Sequence, residues 1–159
     1  MKKIYVETSI VSYLAAYPSR DLIKVAKQEL TREWWQRRRG LYEIYASQLV
    51  LNEARAGDPD AARRRMTELQ DVPLLDVTNQ VEELAASLAQ SGILPAKAAD
   101  DIFHLAIASV HNMDFLLTWN CRHLANAEIR GSLCQAVRNQ GCRPPEICTP
   151  DELLETPDV

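Results

Sequence analysis

Along this chain, short runs of apolar, β-branched and aromatic residues alternate with stretches whose apolar positions recur every three or four residues, so strands and helices are predicted to follow one another in turn. Residues 3 to 6 suit a buried central strand, and Thr8 or Ser9 then caps a helix through Ile10, Val11 and Leu14 that ends before Pro18. From Asp21 to Arg39, Leu22, Ala26, Leu30 and Trp34 recur every four residues, which predicts an amphipathic helix with Gly40 as its C-cap. Tyr42 to Ala46 reads as the second strand. Ser47 caps a helix that carries Leu51 and Glu53 and stops near Gly57-Asp58-Pro59, and a further helix covers residues 60 to 70.

A third strand is expected around Pro73 to Val77, followed by a helix from Thr78 or Asn79 to Gln90 that Gly92 ends. Pro95 opens the next helix, where Ile102, Phe103, Leu105, Ala106, Ile107 and Ala108 leave hardly any polar face, so it is expected to be packed on nearly all sides. Phe115 to Thr118 is the fourth strand, residues 126 to 140 a helix, and Glu146 to Cys148 a short fifth strand. Helices that alternate with strands imply crossover connections. The fold expected is α/β, a three-layer α/β/α sandwich with a mostly parallel sheet of about five strands.

At 159 residues and 47% hydrophobic composition, one domain over residues 1–159 can bury its core without staples, and no repeat, low-complexity tract or linker divides it. The formal charge of −4 gives no general attraction to nucleic acid, so any such binding must be local. Arg37-Arg38-Arg39 with Arg32, and Arg63-Arg64-Arg65, can supply it or can be solvated helix faces. Cys121, Cys134, Cys142 and Cys148 form no C-x-x-C pair and read as structural or free thiols. Lys2 and Lys3 run into Glu7 before an apolar stretch forms, and no segment reaches the roughly 18 apolar residues of a membrane span. A cytoplasmic protein with reduced cysteines, and no membrane partner, is expected.

Against this apolar background the placement of the acids changes the picture. Glu7 follows Ile4-Tyr5-Val6, Glu53 sits in Leu49-Val50-Leu51-Asn52-Glu53-Ala54, Asp100 and Asp101 precede the most apolar helix, and Asn120 closes Phe115-Leu116-Leu117-Thr118-Trp119-Asn120. A buried carboxylate without compensation is expensive and is usually paired, protonated or bound to a metal. If the strands are parallel, their carboxyl ends converge on one edge of the sheet. Four distant segments would then build one acidic pocket. A divalent cation keeps neighbouring carboxylates ionised, oxygen-only ligands favour Mg²⁺ or Mn²⁺ over zinc, and such a cation promotes in-line phosphodiester displacement.

These segments together resemble the PIN domain, a family of metal-dependent ribonucleases that includes the VapC toxins of bacterial toxin–antitoxin pairs. The resemblance rests on Tyr5-Val6-Glu7-Thr8-Ser9, on Glu53 early in its helix, on Asp101-Ile102-Phe103-His104-Leu105-Ala106, and on Leu116-Leu117-Thr118-Trp119-Asn120. It covers nearly the whole chain. By position it implies that Glu7, Glu53 and Asp101 hold Mg²⁺ or Mn²⁺ and that Asn120 assists in catalysis, with Thr8, Ser9, Asp100 and His104 as accessory candidates. Glu7 stands where the family usually has Asp, which moves the carboxylate outward by about 1.5 Å. The activity implied is an endoribonuclease on an RNA substrate, as the toxin of a type II pair, homodimeric and neutralised by a small antitoxin protein.

Individual residues have plainer explanations. Thr8 and Ser9 serve as helix caps or phosphate contacts; His104, three residues after Asp101 and so on the same helix face, serves as a core or supporting histidine or as a ligand; Trp119 stacks a base or packs in the core. His111 and His123 show no partner in sequence. Two rivals stand beside the nuclease: a catalytically weak PIN module that binds RNA or a protein without cleavage, and a Rossmann-like nucleotide binder. The second lacks both G-x-G-x-x-G and G-x-x-x-x-G-K-[ST] among only five glycines.

Overall fold

A computed structural model describes residues 1–155. Five strands, β1 (Lys2–Val6), β2 (Tyr42–Ser47), β3 (Leu74–Leu75), β4 (Phe115–Leu117) and β5 (Glu146–Cys148), form one sheet in the order β3-β2-β1-β4-β5. Every pairing is parallel, with Ile4 opposite Ile44 on one side and Tyr5 opposite Leu116 on the other. The α/β sandwich expected from the alternation is therefore present, with the sheet wholly parallel.

Parallel neighbours need crossovers, and the direction of travel decides which face the crossover helices cover. From β1 to β2 to β3 the chain moves one way through α1 (Thr8–Ala15), α2 (Leu22–Arg37), α3 (Gln48–Ala54) and α4 (Pro59–Glu68), which pack together as one layer. It then returns past β1 through α5 (Asn79–Gln90) and α6 (Ala99–Val110), and α7 (Ala127–Asn139) joins β4 to β5; α5 packs on both α6 and α7 as the second layer. Central β1 is covered on both faces, so Ile4, Tyr5 and Val6 are fully buried. They join Leu105, Ile107, Leu116 and Leu117 in one continuous apolar cluster.

Several boundaries differ from expectation for identifiable reasons. Glu7, rather than Thr8 or Ser9, is the N-cap of α1. Helix α2 ends at Arg37 with Arg38 as its C-cap, whose N–H bonds Trp34 O, and Gly40 lies inside a single 3₁₀ turn (Arg39–Leu41) rather than acting as a left-handed cap. Pro95 precedes a 3₁₀ turn (Ala96–Ala98), and α6 begins only at Ala99. Strand β3 is reduced to two residues at the sheet edge, where pairing on one side alone leaves little to extend it. Helix α6 is packed nearly all round as its composition required, with Ile102 and His104 through Ser109 buried.

Leu116 is fully buried in β4 between β1 and β5. Its replacement by Ala is expected to lower unfolding free energy by about 2–5 kcal/mol, measured by urea denaturation with the denaturant dependence unchanged.

Candidate active site

The strand order reverses between β1 and β4, and chain segments leaving the two strands at their carboxyl ends diverge there, which is where open α/β sheets seat ligands. Glu7 is the first residue beyond β1, and its N–H bonds Leu117 O of β4 at 3.0 Å. Its side chain curls back over the start of α1: Oε2 accepts the Ser9 N–H at 2.9 Å, and Oε1 accepts the Ser9 hydroxyl at 2.6 Å and the Thr118 hydroxyl at 2.5 Å. The extra methylene of Glu is taken up by this curl. Glu7 is only 6% exposed, so three donors and the positive end of α1 offset the cost of burying its charge.

Glu53 approaches from the other side of the crevice. It stands in the last turn of the seven-residue α3 rather than early in its helix. Its Oε1 accepts the Thr8 hydroxyl at 2.7 Å and lies 2.6 Å from His104 Nε2. Behind the imidazole a polar column continues through the apolar core: His104 Nδ1 is 2.7 Å from the Tyr5 hydroxyl, which is 2.8 Å from Ser47 Oγ, the N-cap of α3. Glu7, Glu53 and His104 each offer a ligand atom within 4.8 Å of one another. His104 is thus both a buried supporting residue and part of the cluster.

Burial works against the ionised form of Glu53, but the hydrogen bond and charge of His104 and the Thr8 hydroxyl outweigh it and hold the carboxyl below its usual range. Burial likewise works against imidazolium at His104; the hydrogen bond to Glu53 and the charges of Glu7, Glu53 and Asp101 prevail and raise it. Burial pushes the Tyr5 phenol far up, so it stays a neutral hydroxyl.

Asp101 is not in that group of three. It lies in the first turn of α6, where Oδ1 accepts the Asn120 amide at 2.9 Å and Oδ2 is 2.9 Å from His123 Nδ1. Asn120 is engaged at both ends of its amide, because its Oδ1 accepts the His123 N–H at 3.0 Å. The two groups meet through Thr118, whose Oγ1 accepts the Asn120 N–H at 2.9 Å while donating to Glu7. Asp100 is exposed and lines a separate groove with Asn52, Val77 and Phe103. Thr8 and Ser9 both commit their hydroxyls to the acids.

Tyr5 and Thr118 lie in the segments that carry the resemblance and His123 shows no partner in sequence, but the part each plays at the site is visible only in the fold. A hydroxyl at the carboxyl end of a buried strand was the available signal for Thr118, and three-residue spacing from Asn120 for His123; nothing marks the Tyr5 hydroxyl in an apolar strand. Trp119 is half-buried, donates Nε1–H to Thr31 Oγ1 at 2.7 Å and meets Tyr13 edge-on. His111 bonds the Asp76 carbonyl at 2.7 Å. The four cysteines are free, and burial pushes the Cys148 thiol up to about 12. Among the described residues no helix is long and apolar enough to cross a membrane.

The donor chemistry fits Mg²⁺ or Mn²⁺. After its hydrogen bonds Glu7 keeps acceptor capacity on Oε2, and Glu53 Oε2 has no protein partner among the described residues. Hard oxygen ligands from one or two carboxylates are what these cations take. The sequence matches no protein-family model and no curated protein.

The Glu53–His104 pair has a pH signature in chelator-treated protein. A depressed carboxyl contributes stability above its ordinary 4.5 that is lost as pH falls through the folded value, and a raised imidazole contributes below its ordinary 6.5 and is lost as pH rises through the folded value. Unfolding free energy is expected to peak between these limits, and His104→Gln to remove the alkaline decline. Wild-type stability flat from about pH 5 to about pH 8 contradicts an ionised pair.

Proposed function

We propose that this chain is a Mg²⁺- or Mn²⁺-dependent endoribonuclease of the PIN type. One observation carries the reading: two acids from separate elements, Glu7 and Glu53, are gathered with His104 within 4.8 Å at the carboxyl edge of a parallel sheet, beside its reversal point. Glu7 and Glu53 would hold the cation. When bound, it supplies the positive charge that neutralises the phosphodiester and favours attack by water.

The protein's own groups do the positioning. Ser9 and Thr118 fix the Glu7 carboxylate, and Thr8 and His104 fix that of Glu53, so both are oriented before any ligand arrives. Asp101, held by Asn120 and His123, adds negative charge next to this pair and fixes the loop after β4 that flanks the crevice. The resemblance to VapC toxins supports a further part of the proposal, a homodimeric toxin neutralised by a small antitoxin protein. A second reading, a module that binds RNA or a protein without cleaving, draws on the engagement of Asp101 by its own neighbours, which leaves two acids rather than three in the immediate cluster.

Purified protein incubated with labelled single-stranded RNA and Mn²⁺ is expected to cleave it, and excess chelator to abolish cleavage. Glu53→Gln and Asp101→Asn are each expected to lower the rate by about 10- to 100-fold, with circular dichroism unchanged. Cleavage that survives chelator and both substitutions sinks the metal mechanism; RNA binding without cleavage under any divalent cation supports the second reading.

A further inference from the structure

We infer that the groove between α1 and α2 carries a single RNA strand away from the acidic centre, with Lys24 and Lys27 meeting its phosphates and Tyr13 and Tyr17 its bases. The inference rests on the nuclease reading for what lies at the head of the groove.

A chain of net charge −4 with an acidic crevice repels a polyanion unless cations stand beside it. The arginine-rich stretches do not serve. Arg32 pairs with Glu29 and donates to Ala16 O, Arg37 pairs with Glu33, and Arg38 donates to Leu153 O. Arg39 lies over Trp35, Arg63 and Arg64 pair with Asp60, and Arg65 donates to Ala54 O and Ala56 O. Lys24 and Lys27 differ: they are three residues apart on one face of α2, and neither forms an ion pair among the described residues.

Lys27 is continuous with the acidic centre, and Lys24 lines the groove beyond it. Lys27 Nζ sits 5.4 Å from the Trp119 ring centre and 6.0 Å from that of Tyr13. The Trp119 N–H bonds Ser9 Oγ at 2.8 Å, and that hydroxyl bonds Glu7. Beyond Tyr13 a groove of about 440 Å³ opens between the helices, lined by Ser12, Tyr13, Ala16, Tyr17, Lys24 and Gln28. Aromatic faces interleaved with unpaired cations are the features that bind single strands.

The groove is also built in advance. Gln28, 3% exposed, donates to Tyr17 O at 2.9 Å and accepts the Ser19 N–H at 3.0 Å. Arg32 and Arg64 hold the carbonyls of Ala16 and Ala15, and the Arg64 guanidinium lies 3.8 Å from the Tyr17 ring centre while Tyr17 stays 68% exposed. Leu22 and Ile23 are exposed nearby, so an acidic peptide with apolar side chains is the competing occupant. Continuity with the acids through Trp119 favours RNA.

The test measures anisotropy of a labelled single-stranded oligoribonucleotide of mixed sequence, in chelator and over a range of salt, with Mn²⁺ cleavage of the same oligonucleotide in parallel. Lys24→Ala/Lys27→Ala is expected to weaken binding by about tenfold or more and to reduce the salt slope by about 0.7 per lysine. Tyr17→Ser is expected to weaken binding with the slope unchanged, and Lys97→Ala, on the segment before α6, to change neither. If the wild type cleaves but the double-lysine variant binds and cleaves equally well, the groove inference falls and the nuclease stands. Lysine-dependent binding by a wild type that never cleaves leaves the groove and removes the nuclease. A poly-glutamate peptide that displaces the RNA at equal concentration assigns the groove to an acidic protein partner and overturns the inference.

Discussion

The buried carboxylate of Glu7 is the constraint on which the centre depends. A charge at that depth persists only if donors surround it, and the three it has come from two places that the chain joins late: Ser9 just after β1 and Thr118 just after β4, 109 residues apart. Satisfying the acid therefore fixes the β1–β4 seam at its carboxyl end. The same Thr118 oxygen accepts the Asn120 N–H, which aims Asn120 at Asp101 and so locates His123. The loop after β4 takes its shape from an acid on β1.

A second polar thread crosses the layers. His104 on α6 reaches Glu53 on α3, while Tyr5 on the central strand reaches Ser47 at the start of α3. Tyr5, Ser47 and His104 are fully buried, where an unmade hydrogen bond costs more than a made one contributes. The column is complete from Glu53 to the α3 N-cap, so the orientation of Glu53 is tied to the register of α3 on β2. Helices of opposite layers are thereby joined at the edge where the acids meet.

Arginine illustrates how little sequence clustering says about use. Arg32, Arg38, Arg64 and Arg65 donate to carbonyls at or near chain ends of helices, where the last turns leave acceptors unsatisfied. Their neighbours pair with acids one helical turn away on exposed faces, where such pairs contribute little. Lys24 and Lys27 form no ion pair among the described residues, and Lys27 stands over the Trp119 and Tyr13 rings beside the crevice. Charge that braces the fold is not available to a ligand.

The alternation of short apolar runs with helical periodicity already contained the parallel sandwich, because strands in the same direction can be joined only by crossovers and those here carry helices. The acids at Glu7, Glu53 and Asp101 were legible as misfits, since polar groups beside Ile-Tyr-Val or within an apolar helix demand partners. What those partners are was not legible. Thr118 and Tyr5 look like ordinary strand residues, and Gly40 looks like a cap, until packing fixes which way each side chain points. Only the folded chain could separate Glu7, Glu53 and His104 from the Asp101–Asn120–His123 group, because local spacing encodes neighbours on one element while distances between elements follow from how whole layers pack.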